Sequence, residues 1–349
     1  MKRITVIGGG SNGLATAAYF SLQGHTVTLC DTAEQMTERA AIEARGGLMM
    51  KGAFGEKESP VAIACITDDF AAAMSGAEAV IICVSVPRHE EIAHLVCPHL
   101  KEGQTVICNP GNMASVRFSR LYPQLLETKD LVMAEVSGCL WACRITGAGE
   151  VTVALPLKAK KVAGYPTETT EAAVSRVCEL FEAVPAKNVV EAALNSPNVI
   201  THLAGTIYNV AQVEKMGEDF AFFTHGMSDT VVRTFCALEK ERNAILRAAG
   251  LAVYEESSEG FMRTLMNPDI APQFNTFRAL KGPSSMAHRY MAEDALCGVP
   301  LLVSLAESVG AAAELTKSFL TTASCINGRD YYKEGYTLDN LGLKPKETA

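Results

Sequence analysis

The sequence predicts an α/β protein of two domains: a doubly wound sheet over residues 1–165, then an all-helical domain over 166–349. Three observations carry this. β-Branched apolar runs alternate with helical stretches in the first half and disappear after Gly164-Tyr165-Pro166. A glycine-rich turn separates the first such run from the first helical stretch. Helical periodicity then dominates the second half. With 349 residues there is room for two sizeable cores.

Ile4-Thr5-Val6-Ile7 stops at Gly8-Gly9-Gly10-Ser11-Asn12-Gly13, and Leu14-Ala15-Thr16-Ala17-Ala18-Tyr19-Phe20 resumes with helical character. A second strand, Thr26-Val27-Thr28-Leu29-Cys30, ends on Asp31. Strand, glycine turn, helix, strand and acid follow in the order of the dinucleotide-binding (Rossmann) fingerprint. Gly8 permits the tight turn, Gly10 lets the backbone approach a pyrophosphate, and Gly13 lets the helix pack close to the sheet. Ser11 and Asn12 complete the turn, where the helix-start amides and the positive end of the dipole attract phosphates. Asp31 stands where a carboxylate accepts hydrogen bonds from the adenine ribose. Thr32-Ala33-Glu34 follows it and offers nothing cationic to a 2′-phosphate, so NAD(H) is expected over NADP(H).

Ala79-Val80-Ile81-Ile82-Cys83-Val84 reads as a strand buried on both faces. It breaks at Ser85-Val86-Pro87, which places Val84 and Ser85 at a strand end beside the cofactor. Residues 90–100 read as helix. Residues 105–108 read as a strand that ends in the turn Asn109-Pro110-Gly111-Asn112. Runs at 131–133 and 151–155 complete the expected sheet. Asp31, Ser85 and Asn112 all lie at carboxyl ends of strands, where such folds bind ligands. Helices are expected over 172–184, 197–213, 227–249, 283–297 and 300–326.

An apolar fraction of 48% with 20% charged residues is that of a soluble globular protein. The net charge of −8 argues against nucleic acid or a strongly anionic membrane as partner. No apolar run reaches the length of a membrane span. The run after Lys2-Arg3 breaks at Gly8, too early for a secretory leader. Eleven scattered cysteines read as reduced small hydrophobes, and the cytoplasm is the expected compartment. No metal site is expected. His89, His94 and His99 repeat every five residues, away from a common helix face, and Cys139 and Cys143 lack a second pair.

Three stretches could carry chemistry. In residues 195–209, Ser196 reads as an N-cap with Pro197 at the first helical position. Asn198, His202, Thr206 and Asn209 then form one polar stripe on an otherwise apolar helix. Such a stripe is either hydrogen-bonded in the core or faces a wet cleft. His202 is accordingly a satisfied core histidine or an acid/base group. His288-Arg289-Tyr290-Met291-Ala292-Glu293-Asp294 reads either as a charged face with an Arg289–Glu293 pair or as a site. In the second reading Arg289 holds a substrate carboxylate, and Asp294 orients an imidazole. Leu140-Trp141-Ala142-Cys143-Arg144 contains the one tryptophan, and its plainer reading is a packed loop with a surface arginine.

The glycine turn 8–13, the 198–202 segment, Trp141-Ala142-Cys143-Arg144, Arg289-Tyr290 with Glu293-Asp294, and residues 336–343 together resemble the octopine/nopaline (opine) dehydrogenase family. The similarity runs over nearly the whole chain, in the family's order. It implies a Rossmann domain, a helical domain and an active site in the cleft between them. The implied reaction is NAD(P)H-dependent condensation of an α-keto acid with the amine of an amino acid. By the same resemblance His202 matches the acid/base histidine, Asp294 its aspartate partner and Arg289 a carboxylate-binding arginine. Asn112 falls near a position where some members carry Gln, and Cys143 matches a position in the amino-acid pocket. Arg144, Thr206 and Asn209 complete the substrate-side candidates. Leu140 stands where some members carry Pro. The helical domain offers surfaces for a homodimer, although no apolar stripe can be assigned to an interface.

The implied chemistry suits these residue types: a histidine titrating near neutrality can take a proton from the amine and return one during dehydration. Two other readings compete. Dehydrogenases of simple ketones or 2-hydroxy acids share the domain plan but commonly use lysine, and residues 197–213 contain none. A non-catalytic NAD(H) sensor would leave the polar stripe and Arg289 structural.

Overall fold

The computed structural model describes residues 1–54, 59–254 and 258–343. It forms two compact units, Met1–Val189 and Val190–Ala349.

The first unit holds β1 (Arg3–Ile7), α1 (Ser11–Leu22), β2 (Thr26–Cys30), α2 (Arg39–Arg45), β3 (Met49–Gly52) and β4 (Cys65–Thr67). Then come α3 (Phe70–Met74), β5 (Ala79–Ile82), α4 (His89–Val96), β6 (Thr105–Cys108), α5 (Ala114–Leu121) and β7 (Val132–Val136). The unit continues through β8 (Cys143–Gly147), β9 (Glu150–Val153), β10 (Lys160–Tyr165), α6 (Thr170–Val177) and β11 (Ala183–Pro185). Eight strands form one sheet in the order β11-β10-β7-β6-β5-β1-β2-β4. β4 through β7 of that order are parallel, and β10 joins β7 antiparallel.

Burial on both faces explains the continuous apolar runs. Ile4, Val6, Ala79 and Ile81 enter one core, whereas Ile7, Val80 and Ile82 enter the core on the opposite face. The order reverses between β1 and β5, so the carboxyl ends of those strands make the crevice in which such sheets bind ligands.

Two expectations need correction here. The strand at 151–155 is not in the main sheet; β9 lies in a separate three-stranded sheet, β3-β9-β8. Only Val151 and Val153 of β9 are buried, the period-two pattern of a strand packed on one face. The units divide at Val189/Val190 rather than after Tyr165, because α6 packs on β10 and β11 extends the sheet. The helix expected over 172–184 therefore ends at Val177.

The second unit is helical. α7 (Val189–Leu194) leads into α8 (Asn198–Tyr208), α9 (Val210–Met216), α10 (Phe222–His225), α11 (Asp229–Ala248), α12 (Ser258–Met266) and α13 (Asn275–Arg278). α14 (Arg289–Leu296), α15 (Gly298–Val309), α16 (Glu314–Asn327), α17 (Tyr331–Glu334) and α18 (Leu338–Leu341) complete it. α8 packs against α14, α11, α15 and α16, which makes it the buried centre of the unit.

Its boundaries refine the sequence reading. Pro197, not Ser196, occupies the cap position of α8. The 197–213 helix breaks at Asn209, and the 300–326 helix breaks at Gly310, whose φ of +67° suits glycine. The 283–297 helix begins only at Arg289, where the His288 side chain accepts a hydrogen bond from the Tyr290 N–H at 3.2 Å. Among the described residues no helix is long and apolar enough to cross a membrane.

Candidate active site

The glycine turn is shaped by close backbone approach. At Gly8, φ is +130° and a Cβ would lie 2.7 Å from the Cys83 carbonyl oxygen. At Gly13 it would lie 1.8 Å from the Gly8 carbonyl oxygen, so helix and strand touch there. At Gly10 a Cβ would meet nothing within 4 Å. Gly10 is also the N-cap of α1, which has no side-chain cap and no acid in its first turn. A helix start carries four N–H groups without intrahelical partners, and this one opens onto free space.

Ser11 Oγ accepts a hydrogen bond from the Ile145 N–H at 3.1 Å, and Asn12 Oδ1 accepts one from Asn109 Nδ2 at 3.0 Å. Their side chains brace the turn, which leaves their backbone amides for a phosphate. Val84 and Ser85 come just after Cys83, which follows β5 and whose N–H donates to the Ile7 carbonyl at 2.7 Å. Asp31 is 1% exposed, and its Oδ2 accepts from the Gly9 N–H at 2.8 Å. The open cradle at Gly10 and the carboxylate beside it fit a dinucleotide.

Sequence reasoning missed the residue that faces Asp31. Arg88 Nη1 donates to Oδ2 at 2.9 Å and Nη2 donates to Oδ1 at 2.7 Å. The cation absent from residues 32–34 thus arrives from the turn after β5. Its signal in the sequence was only an arginine behind a strand-ending Pro87.

The other substrate-side candidates of this unit lie on the 109–113 turn and on β8. Asn112 is half-buried with φ +46°, followed by Met113 at φ +64°. This left-handed pair is pinned from β7. Glu135 Oε2 accepts from the Met113 N–H at 2.9 Å, and Oε1 accepts from the Ser115 N–H at 2.8 Å and Oγ at 2.6 Å. Burial pushes Glu135 up to about 7, against the opposing pull of those hydrogen bonds. A glutamate inside an apolar strand gave no clue to this role. Cys143 is buried at the start of β8, and Arg144 folds back so that Nη1 donates to the Cys143 carbonyl at 2.8 Å. Trp141 belongs to the core: its Nε1–H donates to Thr16 Oγ1 at 3.0 Å, and its ring packs on Tyr19 and Phe54.

In the second unit the structure brings His202 of α8 and Asp294 of α14 together. Nδ1 lies 2.9 Å from Asp294 Oδ2, and both residues are buried. The imidazole stacks on Tyr290, with ring centres 3.7 Å apart at 11°. Tyr290 is held edge-on by Phe222 and His288. One helical turn of α14 therefore supplies both the aromatic platform and the acid that fix the imidazole plane, since i and i+4 share a helix face. Burial pushes Asp294 well above the ordinary carboxylate range, and the Arg289 guanidinium pulls it back down. Glu293 is raised for the same reason. Arg289 Nη1 pairs with Glu293 Oε2 at 3.2 Å, the expected i, i+4 pair, and its guanidinium lies over the Tyr290 ring. About a third of the Arg289 side chain stays exposed while Glu293 is buried.

The polar stripe of α8 divides in use. Asn209 Nδ2 donates to the Gly205 and Gly226 carbonyls at 2.8 and 2.9 Å, and Oδ1 accepts from Gln212, so its amide ties the helix to the following segment. Thr206 is fully buried, and its Oγ1 finds no hydrogen-bond partner among the described residues. It lies one turn beyond His202.

Residues 185–327 match the family described as NAD/NADP octopine/nopaline dehydrogenase, alpha-helical domain. Residues 3–131 match the N-terminus of NAD-dependent glycerol-3-phosphate dehydrogenase. The opine dehydrogenase of Arthrobacter sp. (strain 1C) is 28% identical over 349 residues, covering 98% of this chain and 95% of that protein. A solved octopine dehydrogenase with NADH and L-arginine superposes with a TM-score of 0.68 at 17% identity, covering 94% of this chain and 90% of that one. One with NADH and pyruvate gives 0.66 at 16% identity, covering 99% of each chain. The helical segment 185–327, which holds the buried His202–Asp294 pair, is thus similar to the helical domain of the octopine/nopaline dehydrogenase family.

Proposed function

We propose that this protein is an opine dehydrogenase, condensing an α-keto acid with the amine of an amino acid at the expense of NADH and catalysing the reverse oxidation. The observation that carries this reading is the buried His202–Asp294 pair, stacked on Tyr290 and flanked by Arg289. Solved relatives of the same fold carry L-arginine in one case and pyruvate in another, an amino acid and a keto acid. Eleven cysteines scattered through strands and helices suit a reducing, cytoplasmic compartment.

NADH supplies the hydride that reduces the imine carbon. The Gly8–Gly13 turn and the start of α1 hold its pyrophosphate, with Asp31, Val84 and Ser85 alongside. The amine attacks the keto carbon, and His202 takes the proton the nitrogen gives up. Nδ1 is committed to Asp294, so Nε2 is the nitrogen that exchanges protons. His202 delivers that proton to the former carbonyl oxygen, giving a carbinolamine, then relays the second N–H proton to its hydroxyl, which leaves as water and closes the imine. Asp294 stabilises the transient imidazolium and fixes the tautomer in the manner of a catalytic triad. Arg289 presents a planar donor fork to a substrate carboxylate. Asn112, Cys143, Arg144 and Thr206 are the remaining substrate-side candidates. Asn209 is assigned instead to holding α8 in place.

The test follows NADH absorbance with keto acids in the presence and absence of pooled amino acids. Oxidation that requires both substrates is expected. Oxidation with keto acid alone would make the protein a hydroxy-acid dehydrogenase, and silence with every mixture would leave it a sensor. In His202→Ala, turnover falls by about 10²–10⁴ while NADH still binds.

A further inference from the structure

Asp31 is placed to bind the adenine ribose, yet its carboxylate is already saturated. A carboxylate offers about four acceptor sites. Here they are filled by the Gly9 N–H at 2.8 Å, the Thr32 N–H at 2.8 Å, and Arg88 Nη1 and Nη2 at 2.9 and 2.7 Å. Arg88 reaches it from the turn after β5, across β1, which lies between β5 and β2 in the sheet. Two strand spacings are about 10 Å, within reach of an extended arginine.

The other edge of the guanidinium is held by a different acid. Arg88 Nε donates to Glu91 Oε2 at 2.9 Å and Nη2 donates to Glu91 Oε1 at 2.8 Å. The two acids are unequal. Asp31 is 1% exposed and Glu91 is 45% exposed. Releasing Glu91 to water costs little, as for other surface ion pairs, whereas releasing Asp31 would strand a buried charge.

We infer that Arg88 is the residue that sets the cofactor's 2′-position specificity in this chain, by letting a 2′-phosphate sit beside Asp31. The inference rests on the dinucleotide-binding reading above. A lone carboxylate at this place accepts ribose hydroxyls and repels a 2′-phosphate. With Arg88 clamped on it, that repulsion is offset. The Nε–Nη2 edge already holds a bidentate anion in the form of the Glu91 carboxylate, and a phosphate suits the same fork. Exchange of Glu91 for the 2′-phosphate leaves Arg88 seated on Asp31. For NADH, whose ribose carries a hydroxyl instead, Glu91 stays in place.

Equilibrium titration of NADPH and NADH, read by nicotinamide fluorescence and calorimetry without keto acid or amino acid, tests this. The wild-type dissociation constants should lie within about tenfold of each other, a difference under about 1.4 kcal/mol. In Arg88→Gln, with melting temperature checked, the NADPH-to-NADH ratio of dissociation constants should rise at least about tenfold, as Asp31 stands uncompensated. In Glu91→Gln the ratio should fall, because the competing anion is gone. A wild-type ratio above about a hundredfold overturns the inference. So does an Arg88→Gln variant that weakens both nucleotides equally or leaves the ratio unchanged. Failure to bind either nucleotide removes the site altogether. Because no substrate is present, the titration can fail while condensation proceeds, and can succeed in a protein that condenses nothing.

Discussion

Replacing Asp294 by asparagine is the sharpest test of the catalytic assignment, because it removes a charge and keeps the shape. His202 Nδ1 and Asp294 Oδ2 are 2.9 Å apart in a buried setting. An imidazolium and a carboxylate with charge centres about 4 Å apart attract by about 4 kcal/mol at an effective dielectric of about 20. An amide oxygen accepting the same N–H recovers about 1 kcal/mol of that. The remaining deficit, about 3 kcal/mol, falls on the step in which the imidazole is charged, and lowers kcat by about 10². If the amide turns its NH₂ toward Nδ1, the imidazole is held in the wrong tautomer, and the loss approaches the roughly 10⁴ of a Ser-His-Asp triad. The assay is steady-state NADH oxidation by the Asp294→Asn variant with both substrates saturating, alongside NADH titration and thermal melting.

Stability should move the other way. Burial raises the folded-state pKa of Asp294 above its unfolded value. The folded state therefore binds more protons, and stability declines as pH rises from the unfolded value through the raised one. The neutral amide carries no such penalty, so the variant should melt at the same temperature or higher at neutral pH. A kcat within about threefold of wild type, under roughly 1 kcal/mol, would refute the charging role. A falling melting temperature with unchanged kcat would make Asp294 a packing group.

Four further substitutions separate binding, folding and pH response. Gly10→Ala adds a methyl where nothing lies within 4 Å, so it should melt normally and bind NADH more weakly in titration; Gly13→Ala drives its methyl to 1.8 Å from the Gly8 carbonyl and should lose the fold by circular dichroism. Glu135, raised to about 7, should make stability fall as pH rises from about 4.5 to 7, a contribution of about 3 kcal/mol. His89, buried and lowered to about 3, acts oppositely below pH 6.5, so the measurement is the difference in melting curves between wild type and Glu135→Gln, which should flatten across that window. Thr206→Val removes a buried hydroxyl without a partner among the described residues and should stabilise by about 1 kcal/mol in urea melts. If that hydroxyl meets substrate, KM for the keto acid or amino acid rises as well, and an unchanged KM assigns Thr206 to packing.

What could be read from the sequence was what is local along the chain. The glycine turn and Asp31 fit within thirty-one residues, and each of its parts has a fixed neighbour in strand or helix. The stripe holding His202 was visible because helix geometry alone puts i, i+4 on one face. Long-range partners left no such trace. Nothing near Asp31 announces Arg88, fifty-seven residues away, and nothing near Met113 announces Glu135. The domain edge was misplaced for a related reason. β10 begins with two lysines and β11 has three residues, so neither shows a strand's periodicity until paired in the sheet.

The contrast between the two aspartates gives a physical basis for separating binding from chemistry. Both are buried, so each needs compensation for its charge. Asp31 is met by an arginine fork and two backbone amides, all fixed donors whose number matches its acceptors. A carboxylate so fixed is suited to setting which nucleotide fits. Asp294 is met by an imidazole, whose own proton count can change, with Arg289 acting on it as well. Burial pushes that carboxylate up, and in so dry a setting a charge gained by His202 would be felt strongly by its partner. In the proposed reaction, the same desolvation that would be a defect in a structural ion pair would make the His202–Asp294 pair responsive to a proton arriving from the amine.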